Sequence, residues 1–240
     1  MPTGFMPSKR VPSEAERPFW ISYADLMTAM MMLFLATVAV TIIVATKKVE
    51  VQLNREAQHV EATRKLCAQI KQDVGPSSLI DVDCETFQIN FGEAGRFANR
   101  DYHLPAGANQ ALADLVPIIL RHAADESSGQ LLKQVEIEGY ASPIGTYLDN
   151  LHLSMQRSEW VMCLLIDSRK NTAIQLTPEQ LQRVRELFLA GGVSFNSAKQ
   201  TDAESRRVEL KLKFLDLDEP REPRHRVANV SMAPDRCNLP

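Results

Sequence analysis

Leu26 to Thr46 reads LMTAMMMLFLATVAVTIIVAT, 21 residues without a charge. A helix rises about 1.5 Å per residue, so this run is roughly 30 Å long, the thickness of a bilayer's hydrocarbon layer. It is too long for the apolar core of a cleaved leader, and a polar tail ending in Phe19-Trp20 precedes it. Phe19, Trp20 and Tyr23 suit the membrane interface, where amphipathic rings settle. The stretch predicts a membrane-spanning helix over residues 19–46, and every other segment is read outward from that anchor.

Upstream, residues 1–18 are polar, contain Pro2, Pro7, Pro12 and Pro18, and predict a disordered tail. Downstream, residues 47–75 predict a second helix, a linker or dimerisation element. Leu53, Ala57, Val60, Cys67, Ile70 and Val74 recur at helical spacings, Glu61 and Lys65 form a favourable pair, and Gly75-Pro76 ends the run. Residues 76–215 alternate. Thr86–Phe91, Gln134–Tyr140 and Val208–Leu215 have the period of strands. Pro105–His122, Asp149–Ile166 and Pro178–Leu189 read as helices, with Pro117 inside the first. Thr177 caps the last, and Gly191-Gly192 ends it. Strands alternating with helices predict a layered α/β (α+β) domain. Residues 216–240 hold Pro220, Pro223, Pro234 and Pro240 and read as an irregular tail.

The whole chain of 240 residues carries a net charge of −3 and no long basic block, which argues against direct nucleic-acid binding. Lys9, Arg10 and Arg17 before the span balance Lys47, Lys48 and Arg55 after it, so charge does not orient the helix. The cysteines do. All four (Cys67, Cys84, Cys163, Cys237) follow the span, in an even number and without metal-ligand spacing. Disulfides persist in the periplasm, which puts the large domain there and the N-terminus in the cytoplasm. Three pairings are open. Cys67–Cys84 with Cys163–Cys237 is favoured because it gives one short loop and one clamp on the tail. No phosphate-binding loop, no clustered histidines and no nucleophile–base motif are present, so neither an enzyme nor a cofactor or metal site is expected.

Asp25 stands at the edge of the apolar run. A low-dielectric setting favours the neutral form of an acid, which lets an acid there take up and release a proton in turn. Acids inside membranes are rare and point to function. A second reading is local: Ser22 as N-cap with Asp25 three residues on, as in a capping box. Phe19-Trp20-Ile21-Ser22-Tyr23-Ala24-Asp25-Leu26-Met27-Thr28 resembles the membrane signature of the MotB family of ion-driven motor subunits. The resemblance implies that Asp25 carries the ion, with Ser22, Tyr23 and Thr28 lining its path. It also implies a homodimer inside a ring, a pentamer, of a multi-span MotA- or ZorA-like partner.

Val135-Glu136-Ile137-Glu138-Gly139-Tyr140-Ala141-Ser142, Asn150-x-x-Leu153-Ser154-x-x-Arg157 and Ser205-Arg206-Arg207-Val208-Glu209 resemble the OmpA-like peptidoglycan-binding domain. The resemblance covers residues 84–215. Asn150, Leu153 and Arg157 share a helix face by spacing, Asn150 is placed to cap that helix, and Arg157 offers a fork for a carboxylate. The resemblance implies that Arg157 holds the diaminopimelate carboxylate of the wall peptide. An acid that usually contacts the ligand's ammonium is replaced here by Ser142, and Asp149 is the candidate substitute. The mixed tail Glu14-Ala15-Glu16-Arg17 and the step Asp25-Leu26-Met27 look more like ZorB of the Zorya anti-phage system than like flagellar versions. The expected function is therefore a wall-anchored subunit of a proton-driven rotary inner-membrane motor in phage defence. A flagellar stator subunit and a non-conducting wall tether are the alternatives.

Overall fold

The computed structural model describes residues 17–76, 79–125, 130–170, 173–219 and 235–239, with side chains from Tyr23 onward. The expected disordered tail, apart from its last two residues, and most of the C-terminal tail lie outside the described residues. The chain divides into two compact units, Met1–Glu56 and Ala57–Pro240.

The anchor and the linker are one helix. α1 runs from Arg17 to Val74, 58 residues without a break, where two helices were expected. Neither Gly nor Pro interrupts it after Pro18. The change at Lys47 from apolar to polar side chains alters what solvates the helix, not its backbone hydrogen bonding. In the first unit every side chain from Tyr23 to Glu56 is exposed. The helix is long and apolar enough to cross a membrane, the only such helix among the described residues. In the second unit the last turns of α1 pack on the domain through Thr63, Leu66, Cys67 and Ile70, whereas Val60 remains exposed. Asp73 then meets the end of a second helix, α2 (Ala106–Ala124), accepting from Arg121 at 2.6 Å and from His122 at 2.8 Å. Those bonds, His122 first, hold the Asp73 carboxyl below the usual range.

The domain is a five-stranded mixed sheet with helices. Its strands are β1 (Asp81–Asp83), β2 (Gln88–Asn90), β3 (Leu132–Gly139), β4 (Phe188–Gly192) and β5 (Val208–Phe214), and the spatial order is β1-β2-β5-β3-β4. Only the β3–β4 pair is parallel. The connection between those two strands carries α3 (Tyr147–Ile166) and α4 (Pro178–Leu187), and a single turn, α5 (Asp202–Ser205), precedes β5. Along β3, Val135 and Ile137 point inward and Glu136 and Glu138 outward; along β5, Leu210 and Leu212 point inward. The outward face is bound by charge, Lys211 to Glu138 at 2.6 Å and Lys213 to Glu136 at 3.4 Å. α2 buries Ala108, Ala111, Leu112, Leu115, Val116 and Ile119 on one stripe, with Pro117 exposed.

Two features depart from expectation. The Gly191-Gly192 stop belongs to a strand, β4, and α4, which starts at the capping box of Thr177 and Gln180, ends at Leu187. β1 and α5 were not anticipated. The cysteines are joined Cys67 to Cys84 and Cys163 to Cys237, closing segments 17 and 74 residues apart. By loop-closure entropy these crosslinks contribute roughly 3 and 4.5 kcal/mol respectively. Replacing Cys163 and Cys237 by Ser therefore lowers the thermal midpoint more than replacing Cys67 and Cys84, a difference that melting of the detergent-solubilised chain measures.

Candidate functional site

Asp25 is the only charged residue between Arg17 and Lys47. Because α1 begins at Arg17, Asp25 stands in the third turn, about 12 Å along the axis from the first residue. That corrects the capping alternative: Ser22 lies within the helix and is not its N-cap. Asp25 is exposed, and its carbonyl accepts from the Thr28 hydroxyl at 2.9 Å. Positions 22 and 28 lie three residues on either side of Asp25 and so share its stripe. Tyr23, two residues away, falls on another side of the helix and is not a neighbour of that carboxylate. The side chain of Ser22 is outside the described residues.

The second cluster lies where β3 ends and α3 begins. α3 starts at Tyr147, two residues earlier than expected, and its N-cap is Thr146, not Asn150. Asp149 completes that cap. Its N–H donates to the Thr146 hydroxyl at 3.2 Å, and its carboxylate accepts from the same hydroxyl at 2.7 Å. Asn150 is buried and ties down the loop before the helix, donating to the carbonyls of Ile144 at 3.0 Å and Thr146 at 3.1 Å. Leu153 is half-buried, and Ser142 is buried.

Arg157 is 0% exposed. Its Nε, Nη1 and Nη2 donate to the carbonyls of Asp101 (3.0 Å), Tyr140 (2.6 Å) and Ala98 (3.3 Å), and its guanidinium lies over the Phe97 ring at 4.8 Å. Among the described residues it has no ion pair. Burial and the nearby Arg206 lower its pKa to about 10, which still leaves it charged at neutral pH. Arg157 is thus roofed by the loop of residues 98–101, not displayed on the surface as its motif alone led one to expect. Arg206 donates to the Phe97 carbonyl at 3.1 Å, and Arg207 pairs with Glu209 at 2.6 Å and stacks on Tyr140.

α3 reaches this position because two glycines make a notch. Gly139 and Gly192 are paired in the β3–β4 register, and a side chain on either would strike α3. Ser154 sits in the notch at 0% exposure and accepts from the Ser194 N–H at 3.0 Å. Ser194 has a positive φ of 54°, uncommon outside glycine, and its hydroxyl donates to the Tyr147 carbonyl at 3.0 Å. Sequence reading missed Gly192, Ser194 and the role of Ser154, since no local pattern links residues 40 positions apart.

Residues 7–52 match the family model described as membrane MotB of the proton-channel complex MotA/MotB. Over 215 residues the chain is 45% identical to the Zorya protein ZorB of Escherichia coli, covering 89% of this chain and 87% of that one. The chain belongs to the ZorB family. Membership and the MotB match make it a membrane protein of the MotB type. Among solved structures, a MotB-like protein from Desulfovibrio vulgaris is 19% identical with a TM-score of 0.43, covering 66% of this chain and 98% of that one. The cell wall anchor of the type VI secretion system from Pseudomonas aeruginosa is 18% identical at 0.39, covering 64% and 99%. The OmpA-like domain of FopA1 from Francisella tularensis is 20% identical at 0.35, covering 54% and 75%.

Proposed function

We propose that this ZorB-family chain is the wall-anchored subunit of a proton-driven rotary motor in the inner membrane, serving anti-phage defence. The observation that carries the reading is Asp25, the one charge in the exposed and otherwise apolar stretch of α1 that precedes Lys47, in a helix long enough to span the bilayer. A charge there costs several kcal/mol if it is only structural, and no capping duty accounts for it. In its neutral form the side chain crosses an apolar contact with a partner helix; ionised, it is held at a polar one. Proton uptake and release thus gate each step of a ring of multi-span MotA- or ZorA-like subunits, a pentamer, around a dimer of this chain. Two disulfides in the Ala57–Pro240 unit support a periplasmic domain and a cytoplasmic N-terminus.

A stationary dimer needs a fixed point. The domain supplies it by binding peptidoglycan at the β3–α3 edge, with Asp149, Asn150, Leu153 and Arg157 the residues assigned to it. Three of the five N–H groups of Arg157 serve backbone carbonyls, which leaves two for a ligand carboxylate once the loop of residues 98–101 yields.

The test is Asp25→Asn in the complete operon. Asparagine keeps the size and loses the proton. Phage protection is expected to fall to that of a strain without the system, while membrane insertion and partner assembly persist. Full protection by the Asp25→Asn variant would contradict the reading.

A further inference from the structure

The loop that roofs Arg157 continues through Tyr102 and His103 and is held between two buried anchors, Phe97 and Leu104. Phe97 is fixed through its backbone: its N–H donates to the Arg206 carbonyl at 2.8 Å, and its carbonyl accepts from Arg206 Nε at 3.1 Å. Between the anchors the chain is open to solvent. Ala98, Asn99, Arg100 and His103 are exposed, and Asp101 and Tyr102 are half-buried. The turn is not one the chain takes by default. Arg100 has a φ of 56°, in the left-handed region, which a residue with a side chain keeps only where its flanks hold it there.

One flank is held by a strap of side chains on the outer side of the roof. The Asp101 carboxylate accepts from the His103 N–H at 3.0 Å, and the same oxygen lies 2.7 Å from His103 Nδ1. The His103 ring stacks on Tyr102 at 4.3 Å and meets the Trp160 ring edge-on at 4.5 Å. Trp160 belongs to α3, the helix that carries Arg157. The strap therefore ties the roof to the element beneath it. It lies at the surface, with the side chains of His103 and Asp101 50% and 41% exposed, so water replaces its polar contacts at small cost. Cutting it leaves the acceptors of Arg157 in place, because those are backbone carbonyls.

We infer that Asp101, His103 and Trp160 form a latch that keeps the roof over Arg157 shut, so that the closed state seen here is autoinhibited for wall binding. The inference rests on the wall-binding reading and adds its control. A ligand that needs the open roof binds with an apparent affinity scaled by the fraction of molecules that are open. A latch and a merely structural strap differ in sign: damage to the edge weakens binding, whereas release of a latch strengthens it.

The experiment uses the full chain in detergent micelles, with two readouts. Amide hydrogen exchange over residues 98–103 reports opening of the roof, and co-sedimentation with purified sacculi reports wall binding. His103→Ala and Asp101→Ala are compared with the parent and with Lys65→Ala, an exposed lysine elsewhere. Melting of each variant checks its fold. Loss of one charge-assisted bond at the surface is expected to speed exchange over the roof about fivefold and to lower the half-saturating amount of sacculi by a similar factor. Lys65→Ala exchanges and binds as the parent does. If the parent sediments and the latch variants bind no more tightly, whether or not their exchange quickens, the latch is overturned and the wall reading stands. If neither the parent nor the latch variants sediment, both fall.

Discussion

Gly139→Ala is expected to collapse the domain. A Cβ at that position would lie 2.0 Å from the Ser154 carbonyl oxygen and 3.1 Å from the Cβ of Arg157. An ordinary C···O contact is about 3.3 Å, so α3 would have to move by more than ~1 Å. The obstacle is helix backbone, which cannot rotate aside as a side chain does. Overpacking of this kind costs about 3 kcal/mol, a large share of the stability of a single domain. Gly192→Ala meets Ser154 Oγ at 2.5 Å and the Met155 nitrogen at 2.6 Å and behaves similarly. Gly191 supplies the control. A Cβ there has nothing within 4 Å, so Gly191→Ala in the same strand leaves the melting temperature near that of the parent. Equal melting of the Gly139 and Gly191 variants would contradict the notch.

Arg157→Ala is the second large effect, expected to destabilise by about 4 kcal/mol. Removing the side chain leaves a cavity in a site at 0% exposure and takes the donor away from three carbonyls. Arg157→Lys recovers only part, because one ammonium cannot reproduce a planar fork reaching Ala98, Asp101 and Tyr140 together. Chemical denaturation measures both, and an unchanged midpoint for the Ala variant would refute the strut role. The consequence for function is practical. Loss of wall binding in Arg157→Ala reports a disordered edge as readily as a lost ligand contact, so a binding assay on that variant is read only beside its melting curve.

Much of this was legible from residues taken in order. The alternation of Val135 with Glu136 and of Leu210 with Lys211 places β3 and β5, because strand periodicity is local and one face of the sheet is polar. The apolar span beside Asp25 was legible because 21 uncharged residues in a row are a local fact. What escaped is non-local. β4 was hidden because Gly191-Gly192 reads as a helix stop, and only contact with Ser154 explains why a strand carries glycine at position 192. The duty of Arg157 was hidden because two of its acceptors lie 56 and 59 residues away. The join between anchor and linker was hidden for another reason: side-chain polarity changes at Lys47, and a change of polarity resembles a break even where the backbone continues.

The central claim is that Asp25 carries protons, and flux measures it most directly. The chain is co-purified with its ring partner, reconstituted into vesicles holding a pH-sensitive dye, and challenged with a proton gradient. The account predicts uptake with the parent complex and background uptake with the intact Asp25→Asn complex. Equal uptake by the two would remove Asp25 from the ion path and, with it, the motor reading.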